Sequence, residues 1–166
     1  MYKTDRLILR KAVFSDWEQM YCNVWRHPVT ARYMLWAVTT SEEAARERML
    51  RTIAFQQTHH AWLIYEKASG QAIGFAGLRE ENGICKDTGI CLGPDFVGKG
   101  YGTEILKELV RISRENIGAH TFVVSCRSEN EASRRMILKC GFHFSHQESR
   151  TDARDGTAYT VEFYTN

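Results

Sequence analysis

The feature that most constrains this chain is a strand, a glycine-rich loop, a helix and a second strand in succession over residues 85–126. A strand is predicted over about 85–92, because the strongest short hairpin signal, Asn82-Gly83, comes directly before it. After the loop GPDFVGKGYG, apolar residues at helical spacing predict a helix, and the apolar run Thr121–Cys126 predicts a buried strand. Two strands joined through a helix pair in parallel, so the segment predicts a βαβ unit.

The remaining apolar runs predict further strands, and capping boxes predict the starts of three helices. Each box places a serine or threonine three residues before a glutamate, which satisfies free N–H groups in the first helical turn. The boxes begin at Ser15, Thr40 and Ser128. The further strands are predicted at Leu7-Ile8-Leu9, Ala61–Glu66, Ala72–Arg79, Phe142–Arg150 and Ala158–Tyr164. These elements predict a single α/β domain over residues 1–166, with a mixed, mostly antiparallel sheet flanked by helices.

Charge and cysteine usage exclude several classes of protein. The 22 Lys and Arg residues against 20 Asp and Glu give a net charge of +2, whereas a nucleic-acid-binding domain has a stronger basic bias. No stretch approaches the roughly 18 apolar residues of a membrane span. Five cysteines without a CxxC pair, and a His59-His60 pair without a third ligand, predict neither disulfides nor a metal site. We therefore expect a cytoplasmic protein that binds no nucleic acid and no membrane.

The glycine loop predicts an anion site at the start of a helix. Glycines at positions 98, 100 and 102 let backbone N–H groups converge on an anion, and phosphate fits such a site best. The Walker A motif fails because Gly100 replaces the Ser or Thr that would bind magnesium. The dinucleotide fingerprint fails because Thr103 stands at its third glycine. A tight turn without a ligand is the alternative.

With these residues in view, the chain resembles the GNAT superfamily of acetyl-CoA-dependent N-acetyltransferases. The segment Val97–Gly102 resembles the pyrophosphate loop of that family, although Val97 replaces the usual Arg or Gln. Asn130-x-x-Ser133 followed by Gly141-Phe142 resembles a second family segment, and Thr4–Arg10 resembles the opening of the RimJ/RimL-like branch of ribosomal-protein N-terminal acetyltransferases. The resemblance implies that the parallel strand pair is splayed to hold acetyl-CoA as co-substrate, with no metal.

The resemblance also implies a cofactor site. Asn130 is expected at the sulfur end of the coenzyme, and Cys91, Leu92 and Gly93 along the pantetheine, where a main-chain N–H polarises the thioester carbonyl. The pyrophosphate cradle is expected to comprise Val97, Gly98, Lys99, Gly100, Tyr101, Gly102 and Thr103.

Acetyl transfer to an amine needs a base that removes a proton from the incoming ammonium. Asp87 is the first candidate, because the related branch commonly has an acidic residue at the head of this strand. Glu80 and Glu81 on the preceding strand compete with it, and a solvated surface carboxylate is the alternative for each.

The general acid is the second open role. Many superfamily members carry a tyrosine seven residues after the asparagine, but here that position is Ile137. Ser133 or a water molecule is then expected to protonate the departing thiolate, which is a tolerable leaving group because thiol pKa values lie near roughly 8.5. Tyr101 is better explained by packing on the phosphate side of the loop.

We therefore expect direct acetyl transfer from acetyl-CoA to a primary amine, on either a small molecule or a protein N-terminus. The aromatic segment between Trp25 and Trp36 is a candidate wall of the acceptor site, with core packing as the alternative. One competing hypothesis is a catalytically silent module that binds acetyl-CoA or CoA, consistent with Val97 and Ile137; another is a nucleotide-binding regulatory domain. The edge of the terminal hairpin is a candidate homodimer contact.

Overall fold

The computed structural model describes residues 1–166, and its framework is one sheet of eight strands. The spatial order is β1-β2-β3-β4-β5-β6-β8-β7. In chain order the strands are β1 (Tyr2–Lys3), β2 (Leu7–Arg10), β3 (His60–Glu66), β4 (Ala72–Glu81), β5 (Ile84–Leu92), β6 (Thr121–Arg127), β7 (His143–Thr151) and β8 (Ala158–Thr165).

Five α-helices cover the sheet, and two of them run on into π-helical turns. The π turns span Tyr21–Trp25, directly after the first helix, and Ser113–Ile117, directly after the fourth. The helices are α1 (Trp17–Met20), α2 (Pro28–Ala31), α3 (Glu42–Thr58), α4 (Tyr101–Ile112) and α5 (Glu131–Lys139). None of them is long and apolar enough to cross a membrane.

The pairing of the strands confirms the predicted α/β fold. β5 and β6 are parallel, and every other neighbouring pair is antiparallel. The loop and α4 connect β5 to β6, so residues 85–126 form the predicted βαβ unit. Asn82 and Gly83 both have positive φ angles, 53° and 78°, which the predicted two-residue hairpin turn requires.

The predicted helix starts were wrong by one or two residues. Ser41, not Thr40, accepts a hydrogen bond from the backbone of α3, and Asn130, not Ser128, caps α5. The box at Ser15 falls inside a 3-10 turn, Phe14–Asp16, that precedes α1. In each case a second side chain of capping type stands beside the predicted one, and the sequence alone does not rank such neighbours.

The sheet carries a hydrophobic core on each face. On one face, the apolar stripe of α4 and Ile137 of α5 pack against side chains from the central strands. On the other face, Met20, the π turn and the buried side of α3 pack against the alternate side chains of the same strands. Because strand side chains alternate between faces, one set of strands supports both layers.

A close backbone contact fixes the end of β5 against the π turn. A Cβ atom on Gly93 would lie 2.0 Å from the carbonyl oxygen of Asn23, so only glycine fits there. The Gly93 N–H donates a hydrogen bond to the carbonyl of Ile73, and the Asn23 side-chain amide donates to the carbonyl of Ala72. The turn is therefore tied to β4 and β5 at the edge where the glycine loop begins.

We expect Gly93→Ala to lower the free energy of unfolding by about 2–3 kcal/mol, because backbone atoms must move to admit the methyl group. Gly70→Ala is the control, since Gly70 has open space around its Cβ position and carries only the cost of a positive φ, about 1 kcal/mol. Chemical denaturation of both variants measures the difference. Equal losses would contradict the contact.

Candidate active site

The two parallel strands separate halfway along their length. β5 and β6 pair only over residues 84–86 and 121–123. The β4–β5 register shifts where Ala76 faces Ile90 but Leu78 faces Asp87, so β5 carries a bulge at residues 88–89. Gly89, with a φ of 114°, takes up the irregular backbone. The bulge turns β5 away from β6 and opens a V-shaped cleft.

Asp87 lies at the point where the cleft begins. One carboxylate oxygen, Oδ1, accepts the backbone N–H of Ser125 at 2.9 Å and the Ser125 hydroxyl at 3.4 Å. The other oxygen, Oδ2, accepts the N–H of Gly89 at 3.1 Å. The carboxylate thus takes the place of a main-chain acceptor that β6 has lost, and it holds the bulge in shape.

Burial raises the pKa of Asp87 to about 6, against the opposing effect of the N–H groups of Ser125 and Gly89. At neutral pH the carboxylate is mostly ionised and is basic enough to accept a proton. Side chains on several elements enclose the cleft, whose volume is about 470 Å³. A base with this pKa in a cleft is the arrangement that proton abstraction from a bound amine requires.

Asn130 and Ser133 line the same cleft from the start of α5. The Asn130 Oδ1 accepts the backbone N–H of Ser133 at 3.1 Å, which leaves the amide N–H₂ of Asn130 to face a ligand. The Ser133 hydroxyl contacts the thiol of Cys126, another residue of the cleft wall. The structure therefore brings Asp87, Asn130 and Ser133 together, as the sequence analysis expected.

The glycine loop presents free backbone donors at the start of α4. Gly98 and Gly100 have φ angles of 76° and 81°, the left-handed region that glycine tolerates best. The N–H groups of Gly98, Lys99 and Gly100 donate to no protein acceptor, and no side chain caps α4. Converging N–H groups at the positive end of a helix dipole favour a phosphate group.

The other loop residues hold the cradle in place. A Cβ on Gly102 would lie 2.6 Å from Sδ of Met136, so this glycine allows α4 and α5 to approach. The Tyr101 hydroxyl donates to Glu66 at 2.6 Å, while its ring stacks under the Arg6 guanidinium. Tyr101 thus braces the loop. Val97 and Lys99 are exposed, and Thr103 lies partly buried in the first turn of α4.

Of the three residues expected along the pantetheine, one turns its backbone N–H towards the cleft. The N–H of Gly93 is bonded to β4, and N–H groups alternate along a strand, so that of Cys91 points the same way. Leu92 lies between them and faces the open side, as does Ile90, which the sequence analysis missed. Burial raises the pKa of the Cys91 thiol to about 12, so this side chain carries its proton at neutral pH.

The expectation that Glu80 and Glu81 compete as bases is not supported, because both carboxylates lie outside the cleft. Glu80 accepts the N–H of Gly83 in the hairpin turn, and Glu81 forms an ion pair with Lys86 at 3.0 Å. Ile137 is fully buried in the core and does not line the cleft. The geometry of the hairpin keeps Glu80 and Glu81 outside the cleft, and a run of acidic residues in the sequence does not reveal that geometry.

Contacts between residues far apart in the sequence complete the wall of the cleft. Trp25 is buried in the core, whereas Tyr33 and Trp36 line the cleft. Arg154, in the loop between β7 and β8, donates to the carbonyl oxygens of Ala31 and Trp36 at 3.2 and 3.1 Å. Its guanidinium is held by Asp152, which also pairs with Arg127. Sequence patterns carry no signal for such contacts.

Comparison with known proteins gives the family. A model described as an acetyltransferase (GNAT) domain matches residues 6–143. The chain is 26% identical over 167 residues to YoaA of Bacillus subtilis, an uncharacterized N-acetyltransferase, covering 98% of this chain and 93% of that protein. The chain therefore belongs to the GNAT acetyltransferase family.

Solved structures share the fold. The microcin C7 self-immunity acetyltransferase MccE, in complex with acetyl-CoA and AMP, has a TM-score of 0.82 at 20% identity, covering 98% of this chain and 93% of that one. RimL, a ribosomal L7/L12 α-N-protein acetyltransferase in complex with coenzyme A, has a TM-score of 0.78 at 22% identity, covering 98% and 94%.

The raised pKa of Asp87 makes stability depend on pH. Between the unfolded pKa of 3.8 and the folded value of about 6, the folded state binds more protons, so the free energy of unfolding should fall as pH rises through this window. Asp87→Asn removes the titrating group. We expect denaturation of the variant to show a flatter dependence between pH 4 and 7, by on the order of 2–3 kcal/mol. Parallel pH curves for the two proteins would contradict the assignment.

Proposed function

We propose that the protein is an acetyl-CoA-dependent N-acetyltransferase that acts on a primary amine, with Asp87 as the general base. The observation that carries the proposal is the Asp87 carboxylate at the vertex of the cleft, with its pKa raised to about 6. Membership of the family supplies the reaction class, and the position of Asp87 in the cleft supplies the role of the residue.

The residues present fit acetyl-CoA. The free N–H groups of the glycine loop suit the pyrophosphate of acetyl-CoA. The cleft between β5 and β6 suits its thin pantetheine chain. The Leu92 N–H is the donor that we assign to the thioester carbonyl, since it faces the open side of β5. The Asn130 amide lies where the thiol end would pass, at the start of α5.

The reaction follows from these positions. Asp87 takes a proton from the bound ammonium, and the neutral nitrogen attacks the thioester carbonyl carbon directly, without an acyl-enzyme. The carbon–nitrogen bond forms, the carbon–sulfur bond breaks, and the electron pair leaves on sulfur. The second proton lost by nitrogen reaches the thiolate through Ser133 or water. The products are the N-acetylated amine and coenzyme A.

The acceptor is a small-molecule amine or a protein N-terminus. Two observations support a protein N-terminus: the resemblance of Thr4–Arg10 to the RimJ/RimL-like branch, and the fold shared with RimL. The fold shared with MccE, whose structure contains AMP, supports a small-molecule amine. A cytoplasmic location, a single domain over the whole chain and a homodimer through the outer edge of β7 stay predictions.

Thermal unfolding and thiol release test the proposal together. Acetyl-CoA and coenzyme A should raise the melting temperature and ATP should not, since a ligand at 100 times its Kd adds about 2.7 kcal/mol. Asp87→Asn should keep the thermal shift, but its kcat/KM should fall about 10²- to 10⁴-fold. The pH profile of kcat/KM should also lose the rise near pH 6 that comes from ionisation of Asp87. A shift without thiol release from any amine would instead favour the silent binding module, and no shift would refute the cofactor assignment.

The glycine loop is tested by a matched pair of substitutions. Gly98→Ala and Gly70→Ala meet the same strain, because both positions have φ near 70–76° and open space around the Cβ position. Only Gly98 orients the loop donors. We expect Gly98→Ala to raise the KM for acetyl-CoA about tenfold, the equivalent of the 1–2 kcal/mol cost of a left-handed alanine. Steady-state kinetics in which both variants match the wild type would refute the cradle.

A further inference from the structure

A second cavity, of about 480 Å³, lies between α3 and the neighbouring strands β3 and β4. It adjoins the cleft that contains Asp87, because Trp36, Phe75 and Thr88 line both spaces. Thr88 directly follows Asp87 in the bulge, and the rings of Trp36 and Phe75 lie 6.3 Å apart. The second cavity is therefore the space next to the Asp87 cleft, on the other side of these shared residues.

Two arginines of α3, Arg48 and Arg51, line the second cavity. Arg51 is exposed and pairs with Glu47 at 3.6 Å, so the unpaired cation of the cavity is Arg48. Its guanidinium lies 4.7 Å from the ring centre of Trp25 and 4.3 Å from that of Trp36. It donates one side-chain hydrogen bond, to Thr39 Oγ1 at 2.9 Å. Two aromatic faces hold the guanidinium in one plane and leave most of its five N–H donors without an acceptor.

Arg48 is also the one arginine that is withdrawn from solvent without an opposite charge. No carboxylate lies within 4 Å of it. The other arginines without an ion pair, namely Arg26, Arg32 and Arg114, are exposed. Burial lowers the pKa of Arg48 to about 10; the nearby Cys91 thiol opposes this shift, and the nearby Arg51 adds to it. A partly buried, uncompensated cation is costly to the fold and attracts an anion.

A second unsatisfied donor belongs to the same cavity wall. The indole N–H of Trp36 is buried and has no hydrogen-bond partner. Buried N–H groups are nearly always paired, so an unpaired one beside a guanidinium that uses one of its five donors marks a place poor in acceptors. Carboxylate and phosphate oxygens accept from both kinds of donor.

We propose that the acceptor amine carries an oxyanion, a carboxylate or a phosphate, which binds to Arg48. This inference rests on the proposed function, because it takes Asp87 as the amine end of the site. Trp36 and Phe75 then contact the apolar middle of the acceptor. The class of substrate is an anionic amine with its two charges separated by an apolar or aromatic spacer.

Matched amines test the proposal by thiol release. 4-(2-Aminoethyl)benzoate differs from phenethylamine by one carboxylate, and tyramine phosphate differs from tyramine by one phosphate. We expect kcat/KM to be at least about tenfold higher for one anionic amine than for its neutral partner, as hydrogen bonds to charged groups imply. The pair with the larger ratio identifies the oxyanion. Equal values in both pairs would overturn the proposal.

Arg48→Met keeps an unbranched apolar stem, although a shorter one, and removes the charge, whose uncompensated burial is itself costly to the fold. The control is Arg114→Met, which removes an exposed and unpaired arginine and so changes the net charge equally. We expect Arg48→Met to bring the ratio of kcat/KM for the anionic amine to that for its neutral partner close to one, whereas Arg114→Met should keep the wild-type ratio. A ratio that survives in Arg48→Met would overturn the proposal.

Benzoate binding gives a readout that is independent of acetyl transfer. Because Trp25 and Trp36 flank Arg48, benzoate should change the tryptophan fluorescence of the wild type and of Arg114→Met but not that of Arg48→Met. If no amine releases thiol, the proposed function fails, and this titration tests the oxyanion site alone. An identical titration of Arg48→Met and the wild type would overturn that site.

Discussion

The architecture of the site depends on the hydrogen bond between the Asp87 carboxylate and the backbone N–H of Ser125. A parallel pair of strands that separates inside a sheet leaves main-chain groups of both strands without partners, and such groups are costly when they are buried. The bulge at residues 88–89 causes the separation, and Asp87 satisfies one group on each side of it, at Gly89 and at Ser125. The residue that satisfies the groups freed by the separation is therefore also the residue that we assign to proton transfer.

Much of the fold was predictable because its signals are local. Asn82-Gly83 forces one turn, and the alternation of strands with an amphipathic helix forces a parallel pair, so neither prediction needs knowledge of the rest of the chain. The bulge at residues 88–89 was not predictable, because a register shift is a relation between two strands. The π turn Tyr21–Trp25 and the exact helix starts likewise depend on tertiary contacts, such as the one between Asn23 and Gly93.

The site, too, has parts that depend on local sequence and parts that depend on tertiary contacts. The glycine loop that we assign to phosphate lies within one short segment, so its glycines are readable from the sequence. The side that we assign to the acceptor is assembled from α3, the aromatic segment and the final hairpin, so the cavity around Arg48 leaves no pattern along the chain. Acidic residues illustrate the limit. Asp87 and Glu80 look alike in sequence, but strand pairing buries the first and leaves the second in a turn.

Arg154 reaches the aromatic segment through two carbonyl oxygens, those of Ala31 and Trp36. Carbonyl oxygens are present whatever side chains the segment bears, so the attachment does not depend on its amino-acid identities. Substitutions at Tyr33 and Leu35 therefore leave both acceptors of the anchor in place. For the acceptor wall that we propose, this makes the segment the natural place to redesign selectivity.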